Sequence, residues 1–196
     1  RTVDQTLQSM ELALDSLNSK GCQTIAAIVN RVDPKDGKKL IEDLKKENLA
    51  KEQLIYIIPD EESLGKPTVG EIVDALGAEV LYGEEQLNRH VYNFTVAAMQ
   101  LGNFLQRIER GSLVITPGDR ADIIVACLAV VSSTSMENVS GILLTGGLKP
   151  EDSVWNLIKG FRQMVPILSV KENTFPAVTR VNKIHATISP DNERKI

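Results

Sequence analysis

The sequence predicts an α/β protein made of two parallel-sheet, three-layer units in series, of which the first is truncated. Short β-branched and aliphatic runs alternate with amphipathic helical patterns along most of the chain. Strands joined by connections of helical length form parallel sheets with right-handed crossovers and helices on both faces. Residues 78–92, which contain a glycine and an acidic pair, separate two such alternating halves. We therefore predict two domains, residues 1–82 and residues 83–196.

The composition excludes several classes of protein. The 196 residues include 22 Lys+Arg and 26 Asp+Glu, a net charge of −4, and 42% of them are hydrophobic, which is typical of a globular protein with a core. The acidic balance and the 4% aromatic content argue against nucleic-acid binding. No run approaches the roughly 20 apolar residues of a membrane span. We expect a cytoplasmic protein with no nucleic-acid or membrane partner and two buried, reduced cysteines, Cys22 and Cys127.

The first half opens inside a helical pattern. Val3, Leu7, Met10, Leu14 and Leu17 recur at spacings of four and three, which places them on one helix face. A domain rarely begins in the middle of such a pattern, so we expect the chain to be a fragment of a longer polypeptide. Strands are then predicted at residues 22–29 and 54–58, and helices at residues 38–47 and 69–76.

The helix at residues 69–76 has the clearest boundary signals. Thr68 and Glu71 have the spacing of a capping box, in which each side chain accepts a hydrogen bond from the other residue's backbone N–H. Gly77 suits the left-handed position that follows the last helical turn.

The second half repeats the alternation after a longer helical pattern. A leading helix is predicted from apolar residues at spacings of four and three, namely Leu87, Val91, Phe94, Ala98, Leu101 and Leu105. Strands are predicted at residues 112–116, 141–145, 166–170 and 184–188, and helices at residues 121–131, 151–164 and 175–182. The continuously apolar helix at 121–131 suits the middle of a layered sandwich.

Three loops of the second half are predicted to meet, because the carboxyl ends of parallel strands lie at one edge of a sheet. Gly146 and Gly147 can adopt positive φ and turn successive N–H groups toward an anion, and Arg120 has a planar fork for phosphate or carboxylate. Asp119 also fits a helix cap, and the glycines fit turns, so a ligand site, an interface and a structural role all remain open. The candidate residues are Thr116, Gly118, Asp119, Arg120, Thr145, Gly146, Gly147 and Thr174.

No constellation predicts catalysis, a metal or a cofactor. His90 and His185 are far apart and have no cysteine or carboxylate at metal-ligand spacing. Residues 65–68 superficially resemble the end of a phosphate-binding loop. However, Asp60 stands where that loop requires a glycine, and Pro67 stands where it requires a hydroxyl residue.

Several segments resemble known families. Asp119-Arg120 followed by Thr145-Gly146-Gly147 resembles the signature of the DRTGG domain. Residues 111–116, 141–147 and 166–170 resemble the amino-terminal half of long bacterial phosphate acetyltransferases. Residues 28–32, 57–59 and 67–72 are similar to the later part of that family's dethiobiotin-synthetase-like P-loop domain.

This resemblance implies that residues 1–82 are the carboxy-terminal part of a P-loop domain lacking its Walker A strand and loop, and that residues 83–196 are a DRTGG domain with its leading helix. It also implies a regulatory and oligomerisation region of a phosphate acetyltransferase, without catalysis of its own. The catalytic carboxy-terminal domain of the parent would interconvert acetyl-CoA plus phosphate with acetyl phosphate plus CoA. The implied partners are that acyltransferase domain of the same polypeptide, further copies in a homo-oligomer, and an anionic metabolite effector.

The resemblance further implies that Asn30, Pro59 and Asp60 are vestigial contacts to a nucleotide base. Two alternatives remain open. One is a free-standing DRTGG module that senses a nucleotide or metabolite. The other is an ATP-dependent ligase of the dethiobiotin-synthetase type, which the missing G-x-x-x-x-G-K-[ST] motif disfavours.

Overall fold

The computed structural model describes residues 2–46, 54–136, 138–162, 164–184 and 186. Within it the chain forms two compact units, one extending to Glu61 and the other beginning at Glu62. No helix among the described residues has the length and apolar character needed to traverse a bilayer.

The first unit contains a two-stranded parallel sheet. Its elements are α1 (Val3–Ser19), β1 (Ala26–Val32), α2 (Gly37–Lys46) and β2 (Leu54–Pro59). The strands pair in register from Ala26–Leu54 to Asn30–Ile58. One face of this sheet, including Val29, Ile55 and Ile57, packs with the buried residues of the two helices. On the other face, Ile28, Leu54, Tyr56 and Ile58 are exposed. In the described residues this unit therefore has one helix layer.

The second unit contains a five-stranded sheet in the order β3-β7-β6-β5-β4. Strands β4 to β7 are parallel, and β3 is antiparallel to β7. The elements are α3 (Val69–Leu76), β3 (Glu79–Tyr82), β4 (Asn93–Val96), α4 (Leu101–Leu105), β5 (Ser112–Pro117), α5 (Ala121–Ser132), β6 (Gly141–Thr145), α6 (Asp152–Ile158), β7 (Ile167–Ser169) and α7 (Thr174–Val181). Short 3₁₀ turns lie at Glu62–Gly65 and Glu84–Gln86. The predicted α/β class with parallel sheets is confirmed.

The helices of the second unit cover both faces of the sheet. The chain moves from β4 to β7 in one direction across the sheet, so right-handed crossovers place α4, α5 and α6 on the same face. Their side chains, such as Phe104, Leu128 and Ile158, form one buried cluster with the sheet. On the opposite face, α3 and α7 form a second cluster that includes Leu113 and Leu143.

The predicted leading helix is wrong. The residues of that stripe lie instead in β4, in α4 and in the connections around them. Phe94 and Leu113 are paired in a parallel ladder between β4 and β5, and Phe94 packs against the cluster of α3 and α7. A strand followed by a short helix happens to reproduce helical spacing, and pairing with a strand further along the chain decides the outcome.

Packing divides the chain earlier than the predicted boundary after residue 82. Helix α3 belongs to the second unit because Val69, Ile72 and Leu76 are buried in the cluster with Leu113. Strand β3 belongs there because it pairs with β7. The family assignment of the two segments stays a prediction. The predicted strand at 184–188 falls mostly outside the described residues.

The predicted boundaries of α3 are confirmed. The Thr68 hydroxyl accepts from the Glu71 N–H at 3.2 Å, and the Glu71 carboxylate accepts from the Thr68 N–H at 2.7 Å. Gly77 ends the helix in the left-handed conformation, with φ of 62°.

Candidate functional site

The loops at the carboxyl ends of the parallel strands form one rim. We define the rim as residues 97–100, 117–120, 145–148 and 170–175, which lie at or just beyond the carboxyl ends of β4, β5, β6 and β7 and include the start of α7. The Gly118 N–H donates to the Thr145 carbonyl at 3.2 Å, which joins the second and third loops. The Gly146 and Gly147 N–H groups donate to the Glu172 and Val170 carbonyls at 2.7 and 2.9 Å, which join the third and fourth. The structure thus brings the predicted loops together.

Gly146 and Gly147 have the predicted backbone conformation, but their N–H groups are not available to an anion as predicted. Gly146 and Gly147 have φ of 81° and 66°, values that favour glycine. Their N–H groups are already donated to carbonyls of the β7–α7 connection. They are therefore not turned toward an anion, because a satisfied donor offers little to a ligand.

Gly118 allows a close approach of the neighbouring loop. A Cβ atom at this position would lie 1.9 Å from the Leu148 carbonyl oxygen and 2.5 Å from the carbonyl carbon. Both atoms are backbone, so the contact cannot be relieved by a side-chain rotation. The rim therefore requires glycine here.

Arg120 joins the loop after β4 to the start of α5. Its Nε and Nη2 atoms donate to the two carboxylate oxygens of Asp122, each at 2.8 Å. Nη2 also donates to the Met99 carbonyl at 3.2 Å, and Nη1 donates to the Ala97 carbonyl at 3.5 Å. The fork predicted to bind an external anion is thus occupied by Asp122 and two carbonyl groups.

The pairing of Arg120 with Asp122 stabilises the charged form of each side chain and so shifts the pKa of both. The hydrogen bond from Arg120 lowers the pKa of Asp122, and partial burial opposes this shift. The hydrogen bond to Asp122 raises the pKa of Arg120 above its usual value. Charge-assisted bidentate pairs of this kind hold a defined geometry, so the start of α5 and the loop after β4 are fixed together.

The remaining signature residues have different environments. Asp119 is exposed. It is not the predicted cap, since the position before α5 is Arg120 and no side chain caps the helix. The hydroxyls of Thr145 and Thr174 are hydrogen-bonded at 2.8 Å, which anchors α7 to β6. Thr116 is fully buried, and its hydroxyl has no hydrogen-bond partner within the described part of the chain.

Apolar side chains stand exposed on the rim, a feature that the sequence reasoning missed. Met99, Leu148 and Phe175 are 48%, 45% and 82% exposed. The signal was available in the sequence, because Phe175 follows a candidate helix start and Leu148 follows a glycine turn. Scattered exposed apolar residues are ordinary, but the loops after β4 and β6 and the start of α7 each expose one at the same end of the sheet, which suits contact with another protein.

The three predicted base contacts lie at the carboxyl end of the first unit's sheet. Asn30 and Ile58 are paired across the sheet, and the Asp60 N–H donates to the Val32 carbonyl at 2.8 Å. A cleft of about 800 Å³ between α1 and β1 is lined partly by Asn30, but its lining does not include Pro59 or Asp60. The role of Asn30, Pro59 and Asp60 stays a prediction.

The other titratable candidates have structural environments. His90 Nδ1 lies 3.4 Å from the Lys66 carbonyl, and His185 lies outside the described residues. Cys127 is buried, which raises the pKa of its thiol to about 12, whereas Cys22 is exposed, contrary to prediction. The described residues contain no group of three or more His, Cys, Asp or Glu residues arranged to hold a metal ion.

Comparisons with known proteins give one family and a consistent set of relatives. A family model described as the DRTGG domain matches residues 71–184. Phosphate acetyltransferase of Nitratidesulfovibrio vulgaris is 42% identical over 98% of this chain, and that of Synechocystis is 32% identical over all of it. The chain spans only 28% of the length of each of these two relatives.

The chain is also similar to a solved structure. It contains the CBS and DRTGG domains of the regulatory region of Clostridium perfringens pyrophosphatase, complexed with the activator diadenosine tetraphosphate. The match covers 86% of this chain and 79% of that one, with a TM-score of 0.48 and 20% identity. This similarity is too low to support an inference about the present chain.

Proposed function

The chain belongs to the DRTGG domain family, and from that premise we propose that it serves as the regulatory and assembly region of a phosphate acetyltransferase. In such an enzyme, a separate acyltransferase domain of the same polypeptide would interconvert acetyl-CoA plus phosphate with acetyl phosphate plus CoA. The similarity to two phosphate acetyltransferases over nearly all of this chain supports this assignment. Since the chain spans 28% of their length, such enzymes have ample further sequence for a catalytic domain.

The observation on which the proposal depends is the chemistry of the rim. Its cationic fork and glycine N–H groups are engaged within the protein, while Met99, Leu148 and Phe175 are exposed. An anion-sensing loop needs free donors, whereas a protein interface needs apolar surface over a rigid frame. The rim has the second set of properties, so its function is to contact another protein surface, which we assign to the acyltransferase domain.

The hydrogen bonds between adjoining loops give this contact a route to regulation. The loop after β4 is tied to α5 through Arg120, and the loop after β6 is tied to the β7–α7 connection through Gly146 and Gly147. A displacement at one loop therefore disturbs its neighbours, as a coupling between sites requires.

The test uses a phosphate acetyltransferase that contains these residues. We expect the double variant Leu148→Asp, Phe175→Asp to retain acetyl phosphate formation but to change the response of the rate to pyruvate, NADH and adenine nucleotides at least about threefold. The physical reason is that each introduced aspartate carboxylate would have to be desolvated at the interface. Leu12→Asp, at an exposed apolar residue of the first unit, is the control.

Two outcomes would overturn the proposal. An unchanged metabolite response in the double variant would show that the rim is not an interface to the catalytic domain. Calorimetric heat from the isolated 196-residue chain with one of these metabolites, lost in Arg120→Ala, would favour the free-standing sensing module instead.

A further inference from the structure

The turn between α3 and β3, residues 75–79, is held by two charged side chains from the rim end of the sheet. Arg180 of α7 donates from Nη2 to the Ala75 carbonyl at 2.7 Å. Lys149, which follows the rim loop after β6, donates from Nζ to the Glu79 carboxylate at 2.7 Å. The last carbonyls of a helix have no partner within the helix, and cationic side chains are suitable donors to them. The two contacts therefore fix both ends of the turn.

Glu172 connects the first of these contacts to the rim. Its carboxylate accepts a hydrogen bond from Arg180 Nη1, while its carbonyl accepts one from the Gly146 N–H at 2.7 Å. A continuous series of hydrogen bonds thus runs from Gly146 through Glu172 and Arg180 to the end of α3 at Ala75. Local spacing along the sequence gives no sign of this series, because it joins residues on β6, α7 and α3.

The side chains in both contacts are partly exposed to water. Arg180 and Glu172 are 44% and 34% exposed, and Lys149 and Glu79 are 48% and 60% exposed. Exposed ion pairs are weak and are screened by salt. Strand β3 adds little to the attachment, because it has four residues and its ladder with β7 is irregular. The turn is therefore an element that can open while the rest of the unit stays folded.

We propose that the two ionic contacts form a latch, which couples the rim to the α3–β3 turn and which salt releases. Glu172 uses its carboxylate on one side of the junction and its carbonyl on the other. Release of Arg180 therefore frees the segment that accepts the Gly146 N–H, so this hydrogen bond opens more often as well. Because coupling between two sites is reciprocal, a displacement at the rim also loosens the turn.

The latch gives a contact at the rim a consequence within this chain. The exposed Leu148 immediately precedes Lys149, and the exposed Phe175 lies three residues after Glu172. A protein bound to these two apolar side chains would therefore act on both contacts of the latch. This last step rests on the proposed function, whereas the latch itself does not.

Amide hydrogen exchange of the 196-residue chain, followed by NMR at low salt, tests the inference. The Ala78 N–H, which donates to the Val73 carbonyl at 3.0 Å, reports the turn, and the Gly146 N–H reports the rim. Arg180→Gln should raise both exchange rates at least about threefold, the size of effect expected for loss of an exposed ion pair. Lys149→Gln should raise the rate at Ala78 alone, because its contact does not pass through the rim.

Salt and a conservative variant separate the latch from a merely structural role. In about 1 M sodium chloride the screening length falls to roughly 3 Å, so the differences between the variants and the unsubstituted chain should largely disappear. Arg180→Lys keeps the charge but loses the planar fork that bonds the Glu172 carboxylate and the Ala75 carbonyl together. It should leave the exchange at Gly146 as fast as in Arg180→Gln.

The matched control is Lys183→Gln, which removes the same charge at an exposed residue that forms no ion pair within the described part of the chain. It should leave both exchange rates unchanged. An unaltered rate at Gly146 in Arg180→Gln would overturn the coupling, and an equal effect at high salt would overturn the ionic latch. Neither result bears on the partner of the rim, which the metabolite response of the enzyme tests separately.

Discussion

Strands β2 and β6 are both short aliphatic runs in parallel sheets, yet their side chains have opposite environments. Leu54 in β2 is 59% exposed, whereas Leu143 and Leu144 in β6 are inaccessible to solvent. Strand β6 lies between β5 and β7 and has helices on both faces, whereas β2 pairs only with β1 among the described strands. An aliphatic run therefore predicts a strand that suits two-sided burial, and the surrounding elements decide whether that burial occurs.

The two units also differ in the backbone at the carboxyl ends of their parallel strands. In the second unit, the loops at the carboxyl ends of the parallel strands bond one another directly. In the first unit, Asn30 Oδ1 accepts from the N–H of the next residue, and Arg31 adopts a positive φ of 59°. A positive φ is uncommon for a residue with a side chain. The strand ends of the first unit are also joined, because the Asp60 N–H donates to the Val32 carbonyl, so the difference between the units lies in the backbone conformation at Arg31.

The largest expected difference between the units is in core truncation. Leu143→Ala should lower the free energy of unfolding by about 3 kcal/mol, because it leaves a cavity in a site with no solvent access. Leu54→Ala should lower it by less than about 1 kcal/mol, since the side chain is already largely in water. Urea unfolding followed by circular dichroism measures both, and fluorescence of Trp155 on α6 reports the second unit. Equal losses would mean that the outer face of β2 is covered in solution.

A smaller effect is expected at the glycines. Gly118→Ala should cost about 2 to 3 kcal/mol, because its Cβ would overlap the backbone carbonyl of Leu148 and force the rim loops apart. Gly37→Ala, at the start of α2 in the first unit, has no atom within 4 Å of the added Cβ and should be neutral within about 0.5 kcal/mol. Thermal unfolding of both variants measures the difference. Comparable stability of the two would contradict the close contact between the second and third rim loops.

The smallest effect concerns pH. The pKa of Asp122 is lowered in the folded protein by its hydrogen bond from Arg120, so its ionised form stabilises the fold above the unfolded pKa of about 3.9. This contribution is lost as pH falls through the folded pKa. Because Asp122 is exposed, Asp122→Asn should cost no more than about 1 kcal/mol at pH 7 and nothing near pH 2.

The control for this pH experiment is in the first unit. Asp43→Asn on α2 removes an exposed ion pair in which Lys46 Nζ lies 3.2 Å from Asp43 Oδ1. This variant should change the free energy of unfolding at pH 7 by a few tenths of a kcal/mol at most. Urea unfolding at both pH values makes the measurement. A cost for Asp122→Asn that did not diminish in acid would show that the ionised pair contributes nothing.

Sequence reasoning succeeded where local signals and long-range structure agree. Helix α3 follows its capping box and terminal glycine, and α5 follows its apolar run. It failed at β3 and β4, whose four residues each are stabilised by pairing with distant strands. Such short edge strands have too few residues for a period to show. Pairing with β7 and β5 instead determines them.

The meeting of the signature loops could be predicted from strand direction, but their use could not. Parallel strands oblige Gly118, Arg120 and Gly146 to lie near one edge. Two features depend on the paths of other loops. Arg120 pairs with Asp122, and the N–H groups of Gly146 and Gly147 donate hydrogen bonds to neighbouring carbonyls. Those paths are set by packing between residues far apart in the chain, which no local spacing encodes.

The sequence by itself determined the α/β class, the parallel direction of the main strands and the residues that gather at the rim, because periodicity, capping and crossover handedness are local or nearly local constraints. Tertiary structure alone decided which apolar residues are buried, which polar groups are satisfied internally, and which surfaces, such as that at Phe175 on the rim, remain apolar and exposed. Burial and hydrogen-bond satisfaction are properties of a residue's neighbours, and those neighbours are assigned only when the sheet and its helices assemble.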